Sequence, residues 1–164
     1  EFPGEAIRLV LLQTHYRQPL DFTKAGIGEA RRTLDRWYRI AGEGAVPAAD
    51  VPASLIAALS DDLNTPKAVA ELHKLAGEDR SAFMAGAHFL GLLGLDPEDW
   101  FKWQPAGAAN ADTLDDAAID ELINERTAAR NAKNFARSDE IRDELAAQGV
   151  VLEDGAGGTT WRRG

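Results

Sequence analysis

The amino-acid sequence predicts a mainly α-helical chain, in which a helical bundle is followed by a small α+β module of two helices and a β-hairpin. Apolar residues recur at a spacing of three to four over the first hundred residues, which is typical of packed helices. A run of alanine, glycine and asparagine at 106–111 interrupts this pattern. After residue 148 the sequence changes to short β-prone segments around a glycine-rich turn, which indicates a hairpin.

The first two helices of the bundle are predicted from apolar periodicity and capping residues. The first helix is apolar on most sides around Leu9, so we expect it to be buried. Pro19 lies in the segment that ends this helix. Thr23 is suited to cap the second helix, which carries an apolar stripe and ends at Gly42 and Gly44. The stripe consists of Ile27, Ala30, Leu34, Trp37 and Tyr38.

Three further helices complete the predicted bundle. The third is indicated by an apolar stripe made of Leu55, Ile56, Leu59 and Leu63. For the fourth, Thr65 is predicted as the capping hydroxyl and Pro66 as the first helical residue, where a missing N–H costs nothing. The fifth helix is predicted over residues 81–93.

The loop 94–112 is the predicted boundary between bundle and module, because it holds two prolines and the low-complexity run. We predict a bundle over 1–104, a linker over 105–112 and a module over 113–164. Within the module, helices are predicted over 117–132 and 135–148, with Asn134 as a cap and Gly149 as a C-terminal stop. The strands of the hairpin are predicted at 150–152 and 159–161.

Composition excludes several classes of function. The 164 residues carry a net charge of −9, which argues against an indiscriminate nucleic-acid binder, so we expect no DNA partner and only local RNA contacts. The chain has no cysteine and its three histidines are widely separated, which argues against a zinc site. No long apolar run is present, so we expect no membrane partner and a cytoplasmic protein.

Two sets of side chains in the module are candidates for binding RNA, and no nucleophile or phosphate loop stands out. The first set is basic and would share one helical face if the two helices were continuous: Arg126, Arg130, Lys133 and Arg137. Its alternative interpretation is a solvated face paired with neighbouring glutamates. The second set combines an aromatic ring, an acceptor and a forked donor, as single-stranded RNA readers do: Phe135, Asp139 and Arg142. Phe135 is equally compatible with the core.

Three blocks of the sequence resemble bacterial cysteinyl-tRNA synthetases in the order found in that family. The first comprises Ile7, Arg8 and residues 15–22 (HYRQPLDF), and the second is residues 61–66 (DDLNTP). The third is the most specific. It holds Arg130, Lys133, Asp139, Arg142, Asp143, residues 152–154 (LED) and residues 158–163 (GTTWRR).

This resemblance implies that the chain is a C-terminal fragment of such an enzyme, with a helical bundle of the class I synthetase anticodon-domain type and an anticodon-binding module. The implied partners are cysteine tRNA and an N-terminal catalytic domain, and the implied role is to recognise the GCA anticodon and position the tRNA for ATP-dependent aminoacylation. The residues implied to bind RNA are Arg130, Phe135, Asp139 and Asp154, with Arg126, Lys133 and Arg162 as further basic candidates. The position of Phe135 is often tryptophan in the family, so stacking is kept here and an indole N–H is lost.

The resemblance assigns ATP and zinc to a catalytic domain whose signature motifs are absent from these 164 residues. We therefore expect the chain alone to hold no cofactor and not to activate cysteine, and ATP–pyrophosphate exchange by pure material would contradict this. Two other interpretations remain at the level of sequence. One is an acidic helical protein-interaction module without RNA binding. The other is a fragment of the related cysteine ligase of mycothiol synthesis, which is expected to lack the terminal module.

Overall fold

A computed structural model of the protein describes residues 2–42, 48–105, 114–155 and 158–163. These residues form eight helices and one two-stranded antiparallel sheet, which confirms the predicted fold class. The chain folds as two compact units, Glu1–Trp100 and Phe101–Gly164. Apart from residue 105, the predicted linker 105–112 lies outside the described residues, so the boundaries at 104 and 113 stay a prediction. None of the helices described is long and apolar enough to cross a membrane.

The first unit is built from helices packed around a shared apolar core. The helices are α1 (Gly4–Leu12), α2 (Lys24–Ala41), α3 (Ala53–Ser60), α4 (Thr65–Glu78), α5 (Arg80–Phe89) and α6 (Pro97–Phe101). Its largest fully buried side chains are Leu9, Leu34, Trp37, Tyr38, Leu55, Leu72, Phe83, Leu92 and Trp100. The Thr23 hydroxyl accepts from the Gly26 N–H and Gly42 ends α2 with a φ of 59°, so both predicted caps are confirmed. Gly44 lies outside the described residues.

Four details of the predicted bundle are wrong. In α1, Leu11 is exposed, so the helix is buried on one side only. In α3, Leu55 and Ala58 are buried whereas Ile56 is exposed, and Leu63 lies beyond the end of the helix and is also exposed. The fifth helix ends at Phe89, because the backbone turns into the left-handed region at Gly91. The predicted loop 94–112 contains a helix, α6, and so is not irregular throughout.

The start of α4 also differs from the prediction. The side chain of Asn64 accepts from the Lys67 N–H at 3.1 Å, so Asn64 is the cap and Thr65 is the first helical residue. Pro66 then occupies the second helical position, where its missing N–H still costs nothing. Asparagine caps helices better than threonine, which explains why the helix begins one residue earlier.

A polar cluster ties distant parts of the first unit together. The Tyr38 hydroxyl donates to a Glu5 carboxylate oxygen at 2.7 Å and accepts from the Leu95 N–H at 3.2 Å. Glu5 also accepts from the Leu93 N–H. The Tyr38 ring stacks on Trp100, whose indole N–H donates to Asp35 at 2.8 Å. These contacts satisfy buried polar groups within the unit and so hold its helices to the segment that follows α5.

The second unit contains two helices and a hairpin, as predicted. The elements are α7 (Asp116–Asn131), α8 (Phe135–Ala147), β1 (Val150–Gly155) and β2 (Gly158–Arg163). The strands pair antiparallel with Leu152 opposite Trp161 and Asp154 opposite Thr159. One face of the hairpin covers the helices, and the shared core consists of Ile119, Ile123, Ile141, Leu145, Val150 and Trp161.

Trp161 and Arg163 fix the hairpin on α7. The Trp161 indole N–H donates to Asp120 at 2.8 Å while its ring is buried. The Arg163 guanidinium donates to the Leu114 carbonyl at 3.1 Å and to Asp116 at 2.7 Å. Both side chains of the terminal sequence block therefore serve the fold of the module.

Candidate nucleic-acid interface

The turn between α7 and α8 separates the basic residues that a continuous helix would have aligned. The Lys133 N–H donates to the Arg130 carbonyl at 3.0 Å and the Asn134 N–H to the Ala129 carbonyl at 2.8 Å. Lys133 adopts a φ of 58°, in the left-handed region that ends helices. The Asn134 side chain then accepts from the Arg137 N–H at 3.3 Å, which confirms it as the cap of α8. A single basic stripe across both helices is therefore not formed.

Asp154 is the centre of the polar cluster in the module. Its Oδ1 accepts from Arg126 Nη1 at 3.1 Å and from the Thr159 hydroxyl at 2.6 Å. Its Oδ2 accepts from Arg126 Nη2 at 3.0 Å and from Arg130 Nη1 at 3.3 Å. These are the bidentate and charge-assisted geometries that make arginine–carboxylate pairs strong. Four donors thus converge on one carboxylate near the turn of the hairpin.

The cluster shifts the titration of its charged members. Hydrogen bonds from Arg126 and then from Thr159 hold the pKa of Asp154 far below its ordinary value. The hydrogen bond to Asp154 in turn raises the pKa of Arg126, and the more distant charge of Asp139 adds to this effect. Asp154 therefore stays a carboxylate at any physiological pH.

Arg126 and Arg130 differ in how they are buried. The Arg126 side chain is 8% exposed, and its Nε has no hydrogen-bond partner among the residues that the structure describes. It follows Ile119 and Ile123 on the buried face of α7, at positions i, i+4 and i+7. The Arg130 side chain, one turn further on, is 51% exposed. The structure therefore places Arg126 inside the module and Arg130 at its surface.

A polar cleft of about 360 Å³ lies beside this cluster. Its described lining residues are Thr127, Arg130, Asn131, Asp154, Gly155, Gly158 and Thr159. The lining offers a guanidinium, a carboxylate, an amide and hydroxyls next to the backbone of two glycines. Such a combination suits a planar ligand whose edge carries both hydrogen-bond donors and acceptors, as a nucleobase does.

The predicted set on α8 is solvent-facing. Phe135 is 62% exposed, which removes the interpretation of this ring as a core residue. Asp139 pairs with Arg142 at 3.1 Å, and Arg142 also contacts Asp143 at 3.1 Å. Because Phe135, Asp139 and Arg142 follow a spacing of i, i+4 and i+7, they share one face of the helix. An aromatic ring and a carboxylate are therefore available to a ligand on that face.

The remaining basic candidates are placed differently from one another. Within the part of the chain that the structure describes, the exposed Lys133 ammonium has no ion-pair partner. Arg137 pairs with Glu125 at 2.8 Å and with Glu140 at 3.2 Å, as the solvated-face alternative expects. Arg162 pairs with Glu153 at 3.0 Å on the outer face of the hairpin, opposite to the face that carries Asp154. The structure therefore does not bring Arg162 to the cleft.

Three polar cleft residues were not among the candidates from sequence: Thr127, Asn131 and Thr159. Thr127 and Asn131 lie about two turns and one turn, respectively, before the start of α8, on the helix that carries Arg130. Thr159 pairs with Asp154 across the hairpin, and the glycine-rich turn between β-prone segments is the signal that indicates this pairing. The sequence alone does not fix the register on which the contact depends.

Residues for a metal are not found in this part of the molecule. No group of three or more histidine, aspartate or glutamate side chains among the described residues could hold a metal ion, and the full sequence has no cysteine. The described residues therefore do not fit the zinc that the resemblance assigns to a catalytic domain, and we assign no step to it.

Comparisons with known proteins match both units. A family model described as cysteinyl-tRNA ligase anticodon binding domain matches residues 115–162, and a DALR domain model matches residues 54–84. Over 99% of its length the chain is 50% identical to the cysteine–tRNA ligase of Paramagnetospirillum magneticum and 51% identical to those of Acidiphilium cryptum and Rhodospirillum centenum. It covers 38%, 36% and 38% of these relatives respectively, so the chain spans little more than a third of their length.

Proposed function

We propose, from the premise that this chain belongs to the cysteine–tRNA ligase family, that its second unit binds tRNA through the anticodon. The observation that carries the proposal is the anticodon-binding match over residues 115–162, which covers both helices of the module and most of the hairpin. The same match favours an RNA-binding module over the cysteine ligase of mycothiol synthesis, which is expected to lack this part.

The anticodon read by the module is GCA, the anticodon of cysteine tRNA, and each exposed candidate has a role that its geometry supports. Phe135 stacks on an unpaired base, because its ring is open to solvent. Arg130 donates to a base edge or a phosphate, and Lys133 neutralises a phosphate next to it. Asp139 and Asp154 accept from amino or imino groups of the bases. Arg126 supports Asp154 from inside the module, and Arg162 has no base contact because it lies on the other face.

The wider role is to orient the tRNA for a reaction that takes place elsewhere. In the full-length enzyme, binding at the anticodon fixes the position of the acceptor end relative to an ATP-dependent catalytic domain, where the family also places zinc. Binding energy from a remote contact thereby contributes to the rate at the reacting centre. The partners of this chain are accordingly cysteine tRNA and the catalytic domain.

The net charge of −9 sets the condition under which this binding is measured. Attraction to RNA has to come from a few local cations, so affinity falls as salt screens them. The test is fluorescence-anisotropy titration of the 164-residue chain with a cysteine-tRNA anticodon stem-loop, and with stem-loops altered at one anticodon base, at low and moderate salt.

Preference for GCA, with affinity that decreases as salt rises, is the expected result. Equal affinity for all stem-loops would overturn reading of GCA by this module. Absence of binding at low salt would overturn RNA binding altogether and favour the acidic interaction module.

A further inference from the structure

The carboxylate of Asp154 is saturated with hydrogen bonds inside the protein. A carboxylate offers about four lone-pair positions, and the two oxygens of Asp154 already receive two donors each. The side chain is nevertheless 49% exposed and lines the cleft. If Asp154 accepts from a base, as the proposed function requires, one of the four donors has to leave.

Arg126 is not the donor that leaves. Its guanidinium holds both oxygens of Asp154 at 3.1 and 3.0 Å, and its side chain is almost fully buried. Separation from Asp154 would leave a buried cation without its counter-charge, which is among the more costly changes in a folded protein.

Thr159 is also held in place. Its hydroxyl makes the shortest of the four bonds, at 2.6 Å, and its backbone lies opposite Asp154 in the strand ladder. Withdrawal of the hydroxyl from Asp154 would require a rotation of the side chain and would leave its donor without this partner. The hairpin therefore fixes acceptor and donor together.

Arg130 is the donor with the weakest hold. It makes a single hydrogen bond to Oδ2, and at 3.3 Å this is the longest of the four bonds that Asp154 accepts. Half of the Arg130 side chain is open to solvent. Its long flexible stem allows the guanidinium to reach a phosphate without movement of the backbone. Its departure costs little because both charged partners remain hydrated.

We propose that Arg126 and Thr159 are positioning residues that hold Asp154 at the cleft, and that Arg130 covers one Asp154 oxygen until an exocyclic amino group of an anticodon base replaces it. Arg130 then moves to the phosphate backbone of the same loop. This proposal rests on the proposed function and adds which residues select the base and which one exchanges.

The test uses stem-loops in which one anticodon base lacks only its amino group. Inosine replaces guanosine, zebularine replaces cytidine and purine riboside replaces adenosine, one at a time. For the wild-type chain, we expect one of the three replacements to weaken binding roughly tenfold, which is within the range for a lost base contact. The other two replacements then report the background.

Variants of the two positioning residues are expected to lose this discrimination. Arg126→Lys keeps the charge but cannot hold both oxygens, and Thr159→Val keeps the shape but removes the hydroxyl donor. In both, the penalty for the sensitive replacement should shrink towards onefold, because affinity for the unmodified GCA loop falls while affinity for the loop without the amino group changes little. Arg137→Lys makes the same change as Arg126→Lys on a solvated pair and should keep the full penalty. Thermal unfolding identifies a variant that fails to fold, and Thr159→Val then carries the test.

Arg130→Gln tests whether Arg130, unlike the positioning residues Arg126 and Thr159, can be removed without loss of base discrimination. It should keep the penalty for the missing amino group, while the slope of log affinity against log salt falls by about one phosphate contact. The positioning proposal is overturned if folded Arg126→Lys and Thr159→Val discriminate as well as wild type, or if Arg130→Gln loses discrimination. A wild-type chain that binds no stem-loop, or that shows no preference for GCA, overturns the proposed function instead.

Discussion

Glu5 in the first unit and Asp154 in the second are both carboxylates that collect hydrogen bonds from distant parts of the chain, but they serve different ends. Glu5 accepts from the hydroxyl of Tyr38, which is 1% exposed, and from the Leu93 N–H. Both donors are held in place by the packing of the first unit. Asp154 accepts from one buried arginine and one exposed arginine beside a cleft. The difference is that every donor to Glu5 is fixed by the fold, whereas Asp154 has one donor, Arg130, that is half exposed and makes a single long hydrogen bond.

The largest effect on stability is expected when the buried stack of Trp100 on Tyr38 in the first unit is removed. Trp100→Ala removes the ring that stacks on Tyr38 and leaves Asp35 without its indole donor. Replacement of a buried tryptophan by alanine should lower the free energy of unfolding by about 3–5 kcal/mol. Chemical denaturation measures this loss, and the preference for the GCA stem-loop should survive wherever the variant is folded. A changed anticodon preference in folded protein would contradict a purely structural role for this cluster.

An intermediate effect, on binding alone, is expected for Phe135. Because the ring is exposed, Phe135→Ala should leave the unfolding transition almost unchanged. If the ring stacks on a base, affinity for the stem-loop should fall by about 1–3 kcal/mol. Anisotropy titration and thermal unfolding of the same preparation separate the two quantities. Phe135→Trp, which restores a stacking surface, is the matched control, and a stability loss as large as the binding loss would argue against stacking.

The Asp154 cluster should make the free energy of unfolding depend on pH in the acid range. The pKa of Asp154 is lowered in the folded state, so the stability it contributes is complete above the unfolded value of about 3.9 and is lost as the pH falls below that value towards the folded pKa. The free energy of unfolding of wild type should therefore approach that of Asp154→Asn below about pH 4. Asp139→Asn makes the same change of charge on an exposed helix face and serves as control. A constant difference between wild type and Asp154→Asn through the acid range would exclude this linkage.

The smallest effect is expected for Arg137. Its two ion pairs with Glu125 and Glu140 are solvent-exposed, and such pairs contribute roughly 0–1 kcal/mol. Arg137→Gln should therefore change neither stability nor stem-loop affinity by more than about 1 kcal/mol. Binding isotherms at low salt give the sharper check, since any direct phosphate contact is strongest there. A loss equal to that of Phe135→Ala would restore the basic stripe as an RNA surface.

The parts of the fold that could be predicted from sequence are those set by local chemistry. Thr23 and Asn134 cap their helices as expected, because a capping side chain needs only the next turn of its own helix. Thr65 shows the limit of this logic, since the neighbouring Asn64 competes for the same role and wins. The side on which Leu11, Ile56 and Leu63 lie depends on packing partners that periodicity does not identify.

Arg130 and Asp154 of the candidate site could be predicted from sequence, but the arrangement of the cleft and three of its polar residues could not. The pairing of Arg130 with Asp154 joins positions 24 residues apart and depends on the hairpin register. Arg126 looks like a surface cation when only charges are compared. Its position at i+7 from Ile119 and i+3 from Ile123 is the signal that it shares the buried face of α7. A polar residue on an apolar stripe therefore predicts an internal partner better than it predicts a ligand.

The hairpin register limits where insertions and deletions can be tolerated during the evolution of this module. Trp161 and Asp154 project from the same face of the hairpin, the first into the core and the second to the cleft. A shift of either strand by one residue would turn its core and cleft side chains outward together, Val150 with Asp154 in β1 or Trp161 with Thr159 in β2. Purifying selection against unfolded protein therefore also preserves the geometry of the cleft. Variation in length should accumulate beyond Gly155 rather than within the paired strands.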